Sequence, residues 1–150
     1  MSSHPTPNHG PELLDERSII GIAVHPVALF TGILGAGLIY LVSDHAYTKA
    51  NARNALNWHL SVLVLTVLAF LTFFLGADEL TVGGEPVEWS LVPAPIDTVF
   101  FLVGVLLLLG AMLAWLFTVV FAAIATGKAI FGTAWAYPLA YEFVDEESGE

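Results

Sequence analysis

Four polar side chains lie close together where a short polar stretch gives way to a long apolar one: Asn54, Asn57, His59 and Ser61. Asn54, Asn57 and Ser61 are spaced i, i+3 and i+7, so a helix would place them on one face. Where apolar surroundings exclude water, such side chains must find partners, and their bonds join helices at roughly 0.6–2 kcal/mol each. This candidate polar patch could bind a substrate segment or another subunit, or it could lock the helices of this chain together.

His25 and Pro26 form a second candidate polar site, inside an apolar run over residues 19–42. Proline lacks the N–H that a helix needs at this position, so a kink is expected. His25 could bond a carbonyl that the proline frees, or it could titrate along a polar pathway. No second buried acid or base is evident from the sequence to complete a proton relay, which weakens the case for a transporter.

The residue sets that usually carry catalysis or bind metals are missing from the sequence. There is no cysteine, so disulfides, thiolate zinc sites and Fe–S ligation are excluded. Neither a zinc-binding HExxH element nor a nucleophile-elbow GxSxG is found. The sequence therefore predicts a protein that is not an enzyme, with no catalytic residue, no cofactor and no metal site.

The elements that must hold these residues are long apolar runs. Apolar residues make up 57% of the chain and charged residues 12%, against roughly 45–50% and about 25% in soluble domains. The runs cover residues 19–42, 55–75 and 96–126, and each suffices to cross a bilayer, which takes about 20 residues. We therefore predict an all-α integral membrane protein with three transmembrane helices, in contact with the lipid bilayer.

The runs divide the chain into a polar N-terminal tail (1–18), a three-span membrane domain (19–143) and an acidic C-terminal tail (144–150). A polar loop at 76–95 separates the second and third spans, and its segment 81–87 predicts a small hairpin about Gly83-Gly84. The third run would form a helix of about 46 Å, so it must tilt, protrude or break near Gly104 or Gly110.

Small residues recur every four positions in the first and third runs, which predicts close helix packing within this chain or with another copy or membrane protein. The first face comprises Ala28, Gly32 and Ala36, and the other comprises Gly110, Ala114, Thr118, Ala122 and Thr126.

The net charge of −10 comes from 14 acidic and only 4 basic residues. Nucleic acid is excluded as a partner, because its binding requires clustered Lys and Arg. The acidic, lysine-poor polar parts favour a halophilic archaeal source, since high salt screens charge repulsion. Lys49, Arg53 and Lys128 would share one side of a three-span protein and Arg17 the other, so the positive-inside rule predicts a cell-membrane protein with its N-terminus outside and its C-terminus cytoplasmic.

Two stretches resemble a known family. Residues 54–61, Asn-Ala-Leu-Asn-Trp-His-Leu-Ser, resemble the opening of a helix in small prokaryotic membrane proteins of the Tic-twenty-like group, relatives of a chloroplast inner-envelope import component. The family's closing segment resembles Lys128-Ala129, Gly132 and Tyr137-Pro138-Leu139. The resemblance covers residues 19–143 and implies an all-helical membrane domain without a cofactor, connected with protein translocation or a membrane complex.

Two functions follow as hypotheses. In the first, the protein is a non-enzymatic subunit or helper of a membrane assembly, with a role in protein translocation among the options. In the second, it is a small homo-oligomeric channel or transporter, which requires Asn54, Asn57, Ser61 and His25 to line one water-filled path. A polar cavity that joins these residues would favour the second function, and a filled seam would count against it.

Overall fold

The structure is a computed structural model that describes residues 17–145. Within this range the chain forms four helices, α1 (Ile19–Thr31), α2 (Ile33–Val42), α3 (Ala46–Leu75) and α4 (Ile96–Ile130), and two strands, β1 (Glu79–Val82) and β2 (Glu85–Glu88). The protein is therefore mostly helical, as the apolar runs predict. Of the two predicted tails, residues 1–16 and 146–150 lie outside the described residues.

The predicted first span is divided into two helices at Gly32. Gly32 has φ 60° and ψ −135°, a conformation that is essentially restricted to glycine. Helix α1 continues through Pro26, the expected site of a kink, and ends at Thr31. The break in the helix therefore lies at Gly32 and not at the proline. Both backbone groups of Gly32 are paired: its N–H donates to the Ala28 carbonyl at 2.6 Å, and its carbonyl accepts from the Ala36 N–H at 3.3 Å.

Two helices are long and apolar enough to cross a membrane, α3 with 30 residues and α4 with 35. At 1.5 Å per residue they measure about 45 and 52 Å. Helix α3 begins nine residues before the predicted apolar run, and α4 is unbroken at Gly104 and Gly110. The prediction of three transmembrane helices is not confirmed, because the break at Gly32 leaves pieces of 13 and 10 residues.

The predicted hairpin is confirmed. Strands β1 and β2 pair antiparallel with Glu79 opposite Glu88 and Val82 opposite Glu85. The two residues between the strands, Gly83 and Gly84, have φ of 63° and 93°, and a two-residue turn with both φ positive matches the right-handed twist of a hairpin. The chain is thus not all-α, since its polar loop contains this small sheet.

The described residues divide into two compact units, one formed by residues 17–60 together with 119–145, and the other by residues 61–118. In the second unit the backbones of α3 and α4 approach closely at Gly104. A Cβ on Gly104 would lie 2.5 Å from the Phe73 nitrogen, which real Cβ atoms do not tolerate. Phe73 and Phe101 also pack here, with ring centroids 5.3 Å apart.

Small residues form the buried face of α4, and large apolar residues form its exposed surface. The buried positions are Gly104, Ala111, Thr118, Ala122, Ala125 and Ala129. Thr118 and Ala122 belong to the predicted small-residue face, and the other buried positions are shifted from it by one residue or more. Large side chains such as Leu106 and Trp115 are more than half exposed, the arrangement expected when lipid covers the outside of a helix.

Candidate functional site

A buried histidine connects three elements of the first unit. The His25 ring is fully buried, with Nε2 2.9 Å from Asn51 Oδ1 and Nδ1 3.0 Å from the Tyr137 hydroxyl. Asn51 Nδ2 donates to the Tyr47 carbonyl at 2.9 Å, so the amide oxygen is the atom that faces His25. An amide oxygen only accepts, so Nε2 carries the proton and Nδ1 accepts from the Tyr137 hydroxyl. The bonds therefore fit a neutral imidazole.

Tyr137 holds the segment that follows α4 against the helices of this unit. Its ring stacks on Trp58 at 5.8 Å and an interplanar angle of 13°, and it packs edge-on against Phe121. Trp135 contacts Phe121 and Tyr137 as well. Burial raises the pKa of the Tyr137 hydroxyl above its usual value, because a phenolate would lose its hydration there.

Asn57 binds the backbone of the same segment further along. Its Oδ1 accepts from the N–H groups of Phe143 and Val144 at 3.1 and 2.9 Å, and its Nδ2 donates to the Val144 carbonyl at 3.0 Å. These bonds satisfy backbone groups that no helix or strand would satisfy, so Asn57 acts as a clamp on residues 143–144.

The C-terminal end of α4 is capped by side chains from elsewhere in the first unit. The Tyr47 hydroxyl donates to the Ala129 carbonyl at 2.5 Å, and Arg17 donates to the Ile130 carbonyl. The last carbonyls of a helix lack partners within it, so these bonds stabilise the end of α4. Gly132 follows with φ 86°, a left-handed conformation common after a helix end.

A cavity of 390 Å³ lies between the N-terminal part of α3 and the segment after α4. Arg53, Asn54 and Glu142 contribute polar side chains to its wall. Its lining residues are Arg53, Asn54, Asn57, Ala134, Ala136, Tyr137, Ala140, Glu142 and Val144. All belong to the first unit, and we call this space the Arg53–Glu142 cavity.

The structure brings together part of the predicted polar patch. Asn54 and Asn57 line the cavity, whereas His59, which is buried, and Ser61 do not. The cavity does not reach His25 either, so it does not join the residues that a channel would need along one path. In the predicted closing motif, Tyr137 is buried, while Lys128 and Pro138 are exposed and Gly132 forms the turn after α4.

Sequence reasoning missed Glu142, and it left Asn51 out of the candidate patch although Asn51 lies in the same polar stretch. Asn51 lies three residues before Asn54 on the same helix, and that spacing could have indicated its role. Glu142 lies among several other carboxylates near the C-terminus, so no spacing distinguishes it.

Acidic residues gather in the second unit, around the hairpin. A second cavity, of 160 Å³, is lined by Gly76, Asp78, Asp97, Thr98 and Phe101. A Cβ on Gly76 would lie 2.6 Å from the Asp97 carbonyl, so glycine permits this close approach. Across residues 17–145 no group of three or more His, Cys, Asp or Glu is arranged to hold a metal ion.

Comparison with known protein families identifies the chain. The sequence profile of the magnetosome magnetite crystal formation protein family, MamF and MmsF, matches residues 16–144. Comparison with curated proteins finds no match, and comparison with solved structures finds none either.

This match overturns the resemblance to the Tic-twenty-like group, which is wrong, and the translocation role that it implied has no support. Many membrane proteins have amide and Trp residues where a helix begins and Tyr-Pro after a helix ends, because such residues suit the membrane boundary and helix contacts. These residues therefore do not specify a family. The halophilic archaeal source has no support either. An excess of acidic residues in polar segments does not by itself indicate adaptation to high salt. The chain belongs to the magnetosome magnetite crystal formation protein family.

Proposed function

We propose that this chain is a non-enzymatic membrane protein that takes part in magnetite crystal formation by presenting an acidic hairpin to iron ions. Family membership over residues 16–144 supports the process. The observation that carries the role of the hairpin is the distribution of charge. Residues 54–127 contain five acidic residues and no Lys or Arg, and the five all lie between Asp78 and Asp97.

The geometry of the hairpin favours a cationic ligand. Glu79 and Glu88 are directly opposite each other across the two strands, and both are exposed. Like charges at opposed positions destabilise a strand pair, where a favourable pair contributes roughly 0.2–1 kcal/mol. A bound cation removes that repulsion. Iron ions accept carboxylate oxygens as ligands, and exposed carboxylates can bind ions at a growing mineral surface as well as in solution.

The membrane topology that suits this role has three crossings, α3, α4 and residues 19–42 as an interrupted third. Residues 19–42 measure about 36 Å as helix, enough for a hydrocarbon core of about 30 Å. The N–H and carbonyl of Gly32 both have partners, which lowers the cost of a helix break in lipid, where each unpaired backbone group is expensive. By the positive-inside rule the N-terminal end of α3, which carries Lys49 and Arg53, is cytoplasmic, so the hairpin faces the lumen of a magnetosome.

Charge-neutral variants of the hairpin test the proposed function. We expect Glu79→Gln with Glu88→Gln to lower the iron bound by the full-length protein in lipid nanodiscs, and to alter the size or shape of crystals in magnetite-forming cells. The matched control is Asp44→Asn with Asp145→Asn, which removes the same charge from exposed positions outside the hairpin. Equal iron binding and equal crystals for the two double variants would contradict the role of the hairpin.

A further inference from the structure

The Arg53–Glu142 cavity holds one buried polar side chain that lacks a partner among residues 17–145. Asn54 is only 9% exposed and lines the cavity, and its amide makes no hydrogen bond to any residue between 17 and 145. Every fully enclosed side-chain nitrogen or oxygen in that range does have a partner. The Asn54 amide therefore opens onto the cavity, where it offers two N–H donors and one carbonyl acceptor.

The cavity also has a cationic and an anionic side chain in its wall. Arg53 is half-buried and Glu142 is exposed. A guanidinium has five N–H donors in a planar fork that suits a phosphate, so Arg53 can bind a ligand while it keeps its contacts within the chain. A carboxylate accepts N–H bonds from a primary ammonium. A ligand that satisfies both is a small zwitterion.

The walls of the cavity are held in place before any ligand binds. Tyr137 is fixed by its stacking on Trp58 and by its bond to His25. Asn57 fixes the backbone of Phe143 and Val144. A site with fixed walls orders little on binding, which favours affinity.

The position of the cavity along the chain indicates which zwitterion is available to bind there. Arg53 and Asn54 directly precede the apolar part of α3, so in a membrane they lie at the level of the lipid headgroups. The volume of 390 Å³ is at the small end of the roughly 300–1,000 Å³ of ligand pockets. We propose that the Arg53–Glu142 cavity binds a phosphoethanolamine group, with its phosphate at Arg53, its ammonium at Glu142, and Asn54 hydrogen-bonded between them.

Native mass spectrometry of the full-length protein in detergent tests this site. The protein is offered equal amounts of phosphatidylethanolamine, phosphatidylcholine and phosphatidylglycerol with identical acyl chains. A quaternary ammonium has no N–H for Glu142, and glycerol has no cation. We therefore expect phosphatidylethanolamine to be retained at least about fivefold over each of the others, a difference of roughly 1 kcal/mol.

Two variants and one control complete the test. Asn54→Leu and Glu142→Gln should each abolish the preference, while Asp145→Asn, a matched loss of charge outside the cavity wall, should keep it. Glu142 is exposed, so its variant leaves the fold intact even if Asn54→Leu does not. No preference in the unchanged protein, or an unchanged preference in Glu142→Gln, would overturn the proposal.

Free O-phosphoethanolamine at millimolar concentration identifies the source of the group. If it displaces the retained lipid, the cavity takes the soluble zwitterion. If the lipid persists, the site is specific for the headgroup within the membrane. In both cases the chemistry at Arg53, Asn54 and Glu142 is the one proposed.

Discussion

Two polar side chains of the first unit bind particular partners far away in the sequence. His25 bonds Asn51 and Tyr137, and Asn57 bonds the backbone of residues 143–144. In surroundings that exclude water, a polar group that loses its partner costs about 1–3 kcal/mol. These residues therefore determine where the segment after α4 docks, and replacing them should release that segment.

Replacing Asn57 by leucine tests the clamp. Asn57→Leu removes three hydrogen bonds, each contributing about 0.5–1.5 kcal/mol, so we expect a loss of about 3 kcal/mol in the docking of residues 143–144. Limited proteolysis should cut the C-terminal segment much faster in this variant. Leu68→Ile, an exposed apolar change of similar volume, is the control. Equal cutting rates in the two variants would show that the clamp does not hold the segment.

Tyr137→Phe tests the bond to His25 and its dependence on pH. The variant leaves Nδ1 of His25 without its donor, so the free energy of unfolding should fall by about 1–3 kcal/mol near neutral pH. Burial raises the pKa of Tyr137, so its contribution is fully present below the ordinary tyrosine pKa of about 10 and is lost as the pH rises beyond it. The difference between the two proteins, measured by thermal unfolding in detergent, should stay constant to about pH 10 and shrink above. A constant difference at every pH would argue against a buried, neutral phenol.

At the scale of elements, glycines determine how closely the long helices approach. Gly104 faces the backbone of Phe73, and Gly76 faces the backbone of Asp97 and Phe101. Between helices in lipid, attraction comes mainly from such close packing, because the hydrophobic effect does not drive helices together there. The glycine at the contact is therefore a structural requirement, whereas a glycine elsewhere on the helix is not.

Alanine substitutions separate these two kinds of glycine. Gly104→Ala places a methyl group against the Phe73 backbone, so α3 and α4 must move apart, at a cost of about 1–3 kcal/mol. Gly110 has no atom within 4 Å of the position of a Cβ, and Gly110→Ala should stabilise α4 by up to about 1 kcal/mol through helix propensity. Unfolding in a denaturing detergent measures both. A loss of stability in Gly110→Ala as large as that in Gly104→Ala would contradict the contact.

At the scale of the whole molecule, charge is separated along the chain. All four basic residues lie in the first unit, while residues 61–118 carry five acidic residues and none that is basic. Such an uneven distribution orients a membrane protein, since Lys and Arg are retained on the cytoplasmic side. It also concentrates negative potential at one end of the pair of long helices, where cations would gather.

Single cysteines test this orientation, since the chain has none of its own. In intact magnetosomes, whose outer surface is the cytoplasmic face, Thr133→Cys should react with an impermeant thiol reagent. Ser90→Cys should react only after detergent opens the membrane. Both positions are exposed, so access depends on the side alone. Labelling of Ser90→Cys in intact vesicles would contradict a lumenal hairpin and with it the proposed function.

The sequence by itself determined the apolar runs, the start of α4 at Ile96, the hairpin about Gly83-Gly84 and the uneven charge. These are local properties, set by runs of residue types and by turn chemistry. It could not determine which glycine breaks a helix, since Gly104 and Gly110 remain helical while Gly32 does not. The family was likewise misread, because helix boundaries of many families share the same residue types.

Only the tertiary structure decided the candidate site. His25 and Tyr137 are 112 residues apart, and Asn57 binds a carbonyl 87 residues away. Nothing in the local sequence of either partner specifies the other. The Arg53–Glu142 cavity depends on the same docking, since the segment after α4 supplies Glu142 and most of the wall. Partner choice is a property of packing over the whole unit, so it emerges only when the chain has folded.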